Sequence, residues 1–319
     1  MAHRGIELAS EEINQQGGMD GRMVRVSFRD DQADGGLAAQ IARAFVDDPQ
    51  IVGVIGHLSS TAMVAAARVY DGSMPVLSPT ATSPDLSGVS TWLFRLNPSD
   101  SVTGRRLGEF ARTQLRRSRI GVIYDNSSYG RGLVEPFLAG LGMAPVALEP
   151  INPSGDSIDV NVAAIARQQP DLIFAVGNVS GPRVLTALRA HGITAPVIAG
   201  DGWSGIEHRM PVNDVMIAVA FSSDEDRPDA QRFVAAFRAR YKVDPDAYAA
   251  LSYDATLAMA RAAAAGISRA GTREALSELR DPRGYATGAV RFSRTGEPLG
   301  RSTHLLRIDG ATRTFEVIQ

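Results

Sequence analysis

The chain has 319 residues, long enough for two domains, and its 33 lysines and arginines against 35 acidic residues leave a formal net charge of -2, with no basic footprint for nucleic acid. It contains no cysteine, which excludes a disulfide framework and a thiolate nucleophile and leaves zinc without its usual partners. No apolar run reaches about 18 residues, so no membrane-spanning helix is expected.

In chain order, residues 5–16 read as a helix with Ile6, Ala9 and Ile13 on one face and Gly17-Gly18 as its stop. Residues 24–28 read as a strand ending in Asp30-Asp31, and 37–46 as a helix. A strand at 51–55, a helix at 61–70 and a strand at 75–77 complete a first α/β series. A second series follows Phe94-Arg95-Leu96-Asn97-Pro98. It has helices at 104–115, 131–141, 160–168 and 183–191, and strands at 120–124, 146–149, 172–176, 196–199 and 215–221. The polar residues 222–227 cross back to an α-rich stretch with helices at 229–241 and 247–265, and strand-like segments at 288–292 and 303–308 end the chain. Strand-helix alternation of this kind predicts parallel sheets with right-handed crossovers. A doubly wound sheet normally opens with a strand, whereas here a helix begins almost at Met1. The reading is that Met1 is internal and that the first strand of lobe 1 is missing from this sequence; no leader pattern is visible.

Two turns carry the functional signal. Gly56-His57-Leu58-Ser59-Ser60-Thr61 and Ser78-Pro79-Thr80-Ala81-Thr82-Ser83-Pro84 each follow a short apolar run, placing hydroxyls and free N–H groups at a strand's C-terminal end. Helix N-termini carry unsatisfied donors and partial positive charge, so two such turns side by side suit a carboxylate. Any single hydroxyl among them is by default an N-cap. Nothing beside them can do chemistry, which points to binding rather than catalysis. The histidines lack metal-pair spacing, no nucleophile elbow is present, and Lys242 is a poor Schiff-base candidate. Gly200-Asp201-Gly202-Trp203-Ser204-Gly205 is a literal G-x-G-x-x-G and raises an alternative of another class, an NAD(P)-dependent oxidoreductase. The short segment that follows holds Pro211, and Asp201 would face a pyrophosphate with like charge, so the loop reads instead as a βα turn presenting Asp201. Tyr129 and Trp203 are either core aromatics or stacking walls for a ligand side chain.

Gly5-Ile6-Glu7-Leu8-Ala9, Gly17-Gly18-Met19-Asp20-Gly21-Arg22, Asp30-Asp31, the two hydroxyl turns with Asp85-Leu86, Tyr129-Gly130-Arg131-Gly132-Leu133, Gly200-Asp201-Gly202, and Pro245-Asp246-Ala247-Tyr248 with Tyr253-Asp254-Ala255 occur in this order. The ordered set resembles the leucine/isoleucine/valine-type periplasmic solute-binding proteins of ABC transporters, the type I periplasmic-binding fold, over essentially the whole chain. The resemblance implies two doubly wound parallel-sheet lobes joined by a hinge of three crossovers, lobe 1 at 1–97 plus 224–294 and lobe 2 at 98–223 plus 295–319, closing on a ligand in the cleft. It implies an extracytoplasmic, monomeric solute-binding component of an importer. That component takes no cofactor or metal and presents an amino acid or related small carboxylate or amide to a membrane permease. A ligand-sensing domain with the same fold is the alternative. By position, Ser60 and Thr82 would hold the α-carboxylate, the Ala81 carbonyl would accept from the ammonium, and Asp201 would pair with it. Tyr129 falls on the family's Y-G turn. An aromatic pair expected after residues 172–176 is replaced around Gly177-Asn178-Val179-Ser180, leaving Asn178 as a candidate partner, and Ser59 stands where some members carry a half-cystine.

Overall fold

The computed structural model describes residues 1–152, 158–178, 180–281, 284–301, 303–310 and 312–317. The chain divides into two compact units, Met1–Ser99 with Ser223–Arg301 and Asp100–Ser222 with Ser302–Gln319, so that it passes from one to the other three times.

The first unit opens with helices α1 (Ala2–Gln15) and α2 (Gly35–Asp47), strand β1 (Val54–Ile55), helix α3 (Ser60–Tyr70) and strands β2 (Val76–Ser78) and β3 (Leu93–Arg95). The three strands form a parallel sheet in the order β1-β2-β3, and β2 and β3 are wholly buried. The second unit follows with α4 (Asp100–Thr113), β4 (Ile120–Asp125), α5 (Ser128–Leu141), β5 (Ala147–Ile151), α6 (Ile158–Arg167), β6 (Leu172–Val176), α7 (Gly181–Ala190), β7 (Val197–Ala199) and β8 (Val215–Val219). The chain returns to the first unit for α8 (Pro228–Tyr241), α9 (Ala247–Gly266), α10 (Arg269–Glu278) and a two-stranded ribbon of β9 (Arg280–Asp281) and β10 (Val290–Arg291). It ends in the second unit with β11 (His304–Asp309) and β12 (Thr312–Val317).

The second unit's sheet runs β12-β11-β8-β7-β6-β4-β5, parallel except for β11, which is antiparallel to both neighbours. Strands β6 and β8 are unbroken apolar runs because helices cover both faces of a parallel sheet. Two cores result, one on each face: Ile173, Val197 and Ile217 belong to one, Val122, Phe174 and Ile198 to the other. Helices α4 and α5 approach closely at Gly108, where a Cβ would come within 2.1 Å of the Phe137 carbonyl oxygen.

The expected α/β alternation is present, with two departures. Residues 24–28 form no strand and pair with no ladder among the described residues; Val26 and Phe28 are more than a third exposed. Alternation of apolar and polar residues gives a chain the character of a strand, but a strand exists only where a neighbouring backbone supplies hydrogen bonds. Strand β1 is likewise shorter than the apolar run at 51–55, and only Val54 and Ile55 are in register with β2. Helix α10 and strands β3, β9 and β12 are elements the pattern did not indicate.

Candidate functional site

In the first unit the two hydroxyl turns are laced together. The Ser78 hydroxyl donates to the His57 carbonyl at 2.8 Å and the Thr80 hydroxyl to the Leu58 carbonyl at 2.7 Å. The Ser60 Oγ accepts from two backbone groups of the other turn, Thr82 N–H at 3.2 Å and Ser83 N–H at 3.1 Å. A hydroxyl oxygen has two acceptor positions. Both are taken here, so the Ser60 proton is directed away from these partners. Ser60 is the first residue of α3, where the helix's unsatisfied N–H groups and dipole favour an anion. Ser59 is the N-cap of that helix and accepts from Ala62 N–H at 3.2 Å, the ordinary capping role. Thr82 is buried, and its hydroxyl makes no hydrogen bond among the described residues; Ala81 is buried beside it.

His57 anchors the first turn from behind. Its Nδ1 lies 2.5 Å from Asp31 Oδ2 and its Nε2 lies 3.0 Å from the Tyr70 hydroxyl. Burial works to raise the Asp31 carboxyl, but the hydrogen bonds from His57 and from Ala33 N–H outweigh it and hold the group below the usual aspartate value. Burial, with the Asp31 charge nearby, pushes the Tyr70 hydroxyl well up, so it stays protonated. Sequence reasoning assigned no role to Asp31 or Tyr70. The Asp30-Asp31 pair at the end of an expected strand was the available signal, but its contact with His57 spans 26 positions of chain.

In the second unit the C-terminal ends of β4, β6 and β7 carry the other candidates. Tyr129, in the first turn of α5, donates its hydroxyl proton to Asp201 Oδ1 at 2.7 Å and accepts from Gly202 N–H at 2.9 Å. It is buried, and desolvation together with the Asp201 charge drives its hydroxyl far above the ordinary tyrosine value. Tyr129 therefore acts as a fixed donor that holds the Asp201 carboxylate. Asp201 itself is only partly buried. The glycines around it serve this contact. A Cβ on Gly200 would come within 2.3 Å of the Tyr129 hydroxyl oxygen, and one on Gly202 within 2.4 Å of Asn178 Oδ1. The backbone N–H of Asn178 donates to Asp125, which also accepts from the Ser180 hydroxyl at 2.7 Å. Burial raises the Asp125 carboxyl in spite of these donors. Val179 of the same turn lies outside the described residues.

Trp203 is 1% exposed and packs in the core with Val184, Leu185 and Ile206. The core reading of this residue, rather than the stacking wall, fits that placement. The Gly200-x-Gly202-x-x-Gly205 segment leads into two 3-10 turns, Asp201–Trp203 and Ile206–His208. A dinucleotide fingerprint needs a full helix whose N-terminus receives the pyrophosphate, and none starts here.

The family described as periplasmic binding protein matches residues 1–313. The chain belongs to the periplasmic binding protein family. Among its relatives, the Leu/Ile/Val-binding protein homolog 1 of Brucella abortus (strain 2308) is 26% identical over 307 residues, which span 92% of this chain and 82% of the relative. The chain is also similar to a solved structure from Streptococcus pneumoniae, a branched-chain amino acid transporter substrate-binding protein in complex with isoleucine. The TM-score is 0.92 at 24% identity, covering 99% of this chain and 93% of the other. A solute-binding protein of an ABC transporter from R. palustris, in complex with benzoate, superposes with a TM-score of 0.90 at 19% identity, covering 99% and 91%. The fold is that of the type I periplasmic binding proteins, and members of this family bind solutes rather than transform them.

Proposed function

We propose that this periplasmic binding protein is the extracytoplasmic, monomeric solute-binding component of an ABC importer. It binds an α-amino acid, branched-chain or similar, and delivers it to a membrane permease. The Ser60 hydroxyl carries the reading: its two acceptor positions are filled by Thr82 and Ser83, its proton remains to be donated, and it stands at a helix N-terminus. Such a group, with the Thr82 hydroxyl beside it, is matched to a carboxylate. The Ala81 carbonyl supplies an acceptor for an ammonium. Asp201, held by Tyr129, supplies the negative charge an ammonium needs. The names of the relatives support an amino acid, and the benzoate complex of one of them makes a plain carboxylate the natural control.

The test is a thermal-shift and calorimetric screen of the purified chain against leucine, isoleucine, valine, leucinamide, benzoate and NAD. A ligand at about 100 times its dissociation constant adds about 2.7 kcal/mol to stability. Leucine, isoleucine or valine should raise Tm, and NAD should not. Leucinamide, which lacks the carboxylate, should bind more weakly than leucine. Binding of benzoate with no response to any amino acid would replace the amino-acid reading with a plain-carboxylate one.

A further inference from the structure

The second hydroxyl turn of the first unit is held by an ion pair whose arginine is buried. Arg95 ends strand β3 and is 2% exposed. Its guanidinium donates to the Ser83 carbonyl at 2.8 Å and to the Ser87 hydroxyl at 2.7 Å, which are the two ends of the 3-10 turn Pro84–Leu86. Two further donors form a fork onto Glu297, Nε to Oε2 at 2.9 Å and Nη2 to Oε1 at 2.7 Å. Glu297 arrives from the loop after β10, which is seated on β3 by a hydrogen bond from Arg95 N–H to the Gly296 carbonyl at 3.0 Å. Gly296, with φ +75°, permits that seat, since a Cβ would lie 1.9 Å from the Leu93 carbonyl oxygen.

Ser83 is thus fixed through both of its backbone hydrogen-bonding groups. Its N–H is bound to Ser60 Oγ and its carbonyl to Arg95. A buried ion pair contributes little net stability compared with apolar residues of similar volume, but it does impose a geometry. Where the Ser83 N–H sits decides which acceptor position of Ser60 is occupied, and hence where the Ser60 proton points.

We infer that Arg95 is a positioning residue for ligand binding: fixed by Glu297, it places Ser83 so that the Ser60 hydroxyl is aimed at the ligand's carboxylate. The inference rests on the carboxylate role proposed for Ser60. It identifies Arg95 and Glu297 as residues whose loss weakens ligand affinity although neither touches the ligand.

A double-mutant cycle with leucine, read by titration calorimetry, tests it. Arg95→Met should weaken leucine binding about tenfold and Glu297→Gln about threefold, whereas in a Ser60→Ala background either change should weaken it less than about twofold further. A purely structural role would lower Tm and act equally in both backgrounds. Full, additive losses in the Ser60→Ala background, or wild-type affinity in both single variants, would overturn the inference. If Arg95→Met does not fold, Glu297→Gln carries the cycle, because Glu297 is 26% exposed and the glutamine keeps one acceptor oxygen for the Arg95 guanidinium. If the wild-type chain binds leucine and the cycle is additive, only this inference fails. If the wild-type chain binds neither an amino acid nor benzoate, the carboxylate role of Ser60 fails and takes the inference with it.

Discussion

Replacing Ser60 with alanine separates two jobs of one hydroxyl. In the protein without ligand, Ser60 Oγ satisfies the N–H groups of Thr82 and Ser83, both in a buried turn. A buried donor left unpaired costs about 1–3 kcal/mol, and at 3.1 and 3.2 Å these bonds are at the long end, so about 1 kcal/mol each applies. Ser60→Ala should therefore lower stability by about 2 kcal/mol, or about 4–8 °C in Tm for a unit of this size. The lost hydrogen bond to a ligand carboxylate adds about 1.5–3 kcal/mol to the loss of binding, which is about 10- to 150-fold in Kd. Thr82→Val is the matched control. The Thr82 hydroxyl joins no hydrogen bond among the described residues, so its removal should weaken binding by a similar factor and leave Tm within about 2 °C. Calorimetry with leucine and thermal melts of the ligand-free variants measure the two effects separately. Ser60→Ala with wild-type affinity would show that the hydroxyl only staples the two turns. Ser60→Ala with an unchanged Tm would show that the staple itself is dispensable.

If Asp201 pairs with the ligand's ammonium as proposed, Asp201→Ala should reduce amino-acid affinity more than a hundredfold, since losing one member of an ion pair desolvated by the ligand costs about 3–5 kcal/mol. Asp201→Asn, which can still accept from Tyr129, should lose less, and equal affinity in the alanine variant would exclude the ammonium role. The carboxyl of Asp31 has its pKa lowered in the folded protein, so its contribution is complete above the unfolded value of about 3.9 and is lost as pH falls below it. In urea titrations between pH 3 and 7, the stability gap between wild type and Asp31→Asn should be constant above about pH 5 and shrink towards pH 3. A gap that widens on acidification would contradict that sign. Arg269 of α10 donates to the carbonyls of Phe45, Val46, Asp48 and Ile51. Arg269→Met should cost about 1–3 kcal/mol in urea melts without altering leucine affinity, and a change in affinity would place this cap in the binding apparatus.

The alternation of helices and strands, the parallel sheets and the two turns at strand ends follow from local pattern. Apolar runs such as residues 172–176, and hydroxyls before a helix, report their surroundings within one element. Tertiary structure alone decided the pairings. Residues 24–28 have the composition of a strand but no ladder neighbour, so they are not one. Ser60 reads as an ordinary helix start until Thr82 and Ser83, more than twenty positions away, bring their N–H groups to its oxygen. Asp201 could be given a place but not a holder, because Tyr129 reaches it over 72 positions. Arg95 within an apolar strand looks anomalous until Glu297 arrives from 202 positions downstream. The sequence by itself marked most of the elements, since propensity and hydrophobic period act over a few residues, but residues 24–28 show that a strand also needs a paired neighbour. Which polar groups meet depends on how the chain closes its long loops, and no local spacing encodes that.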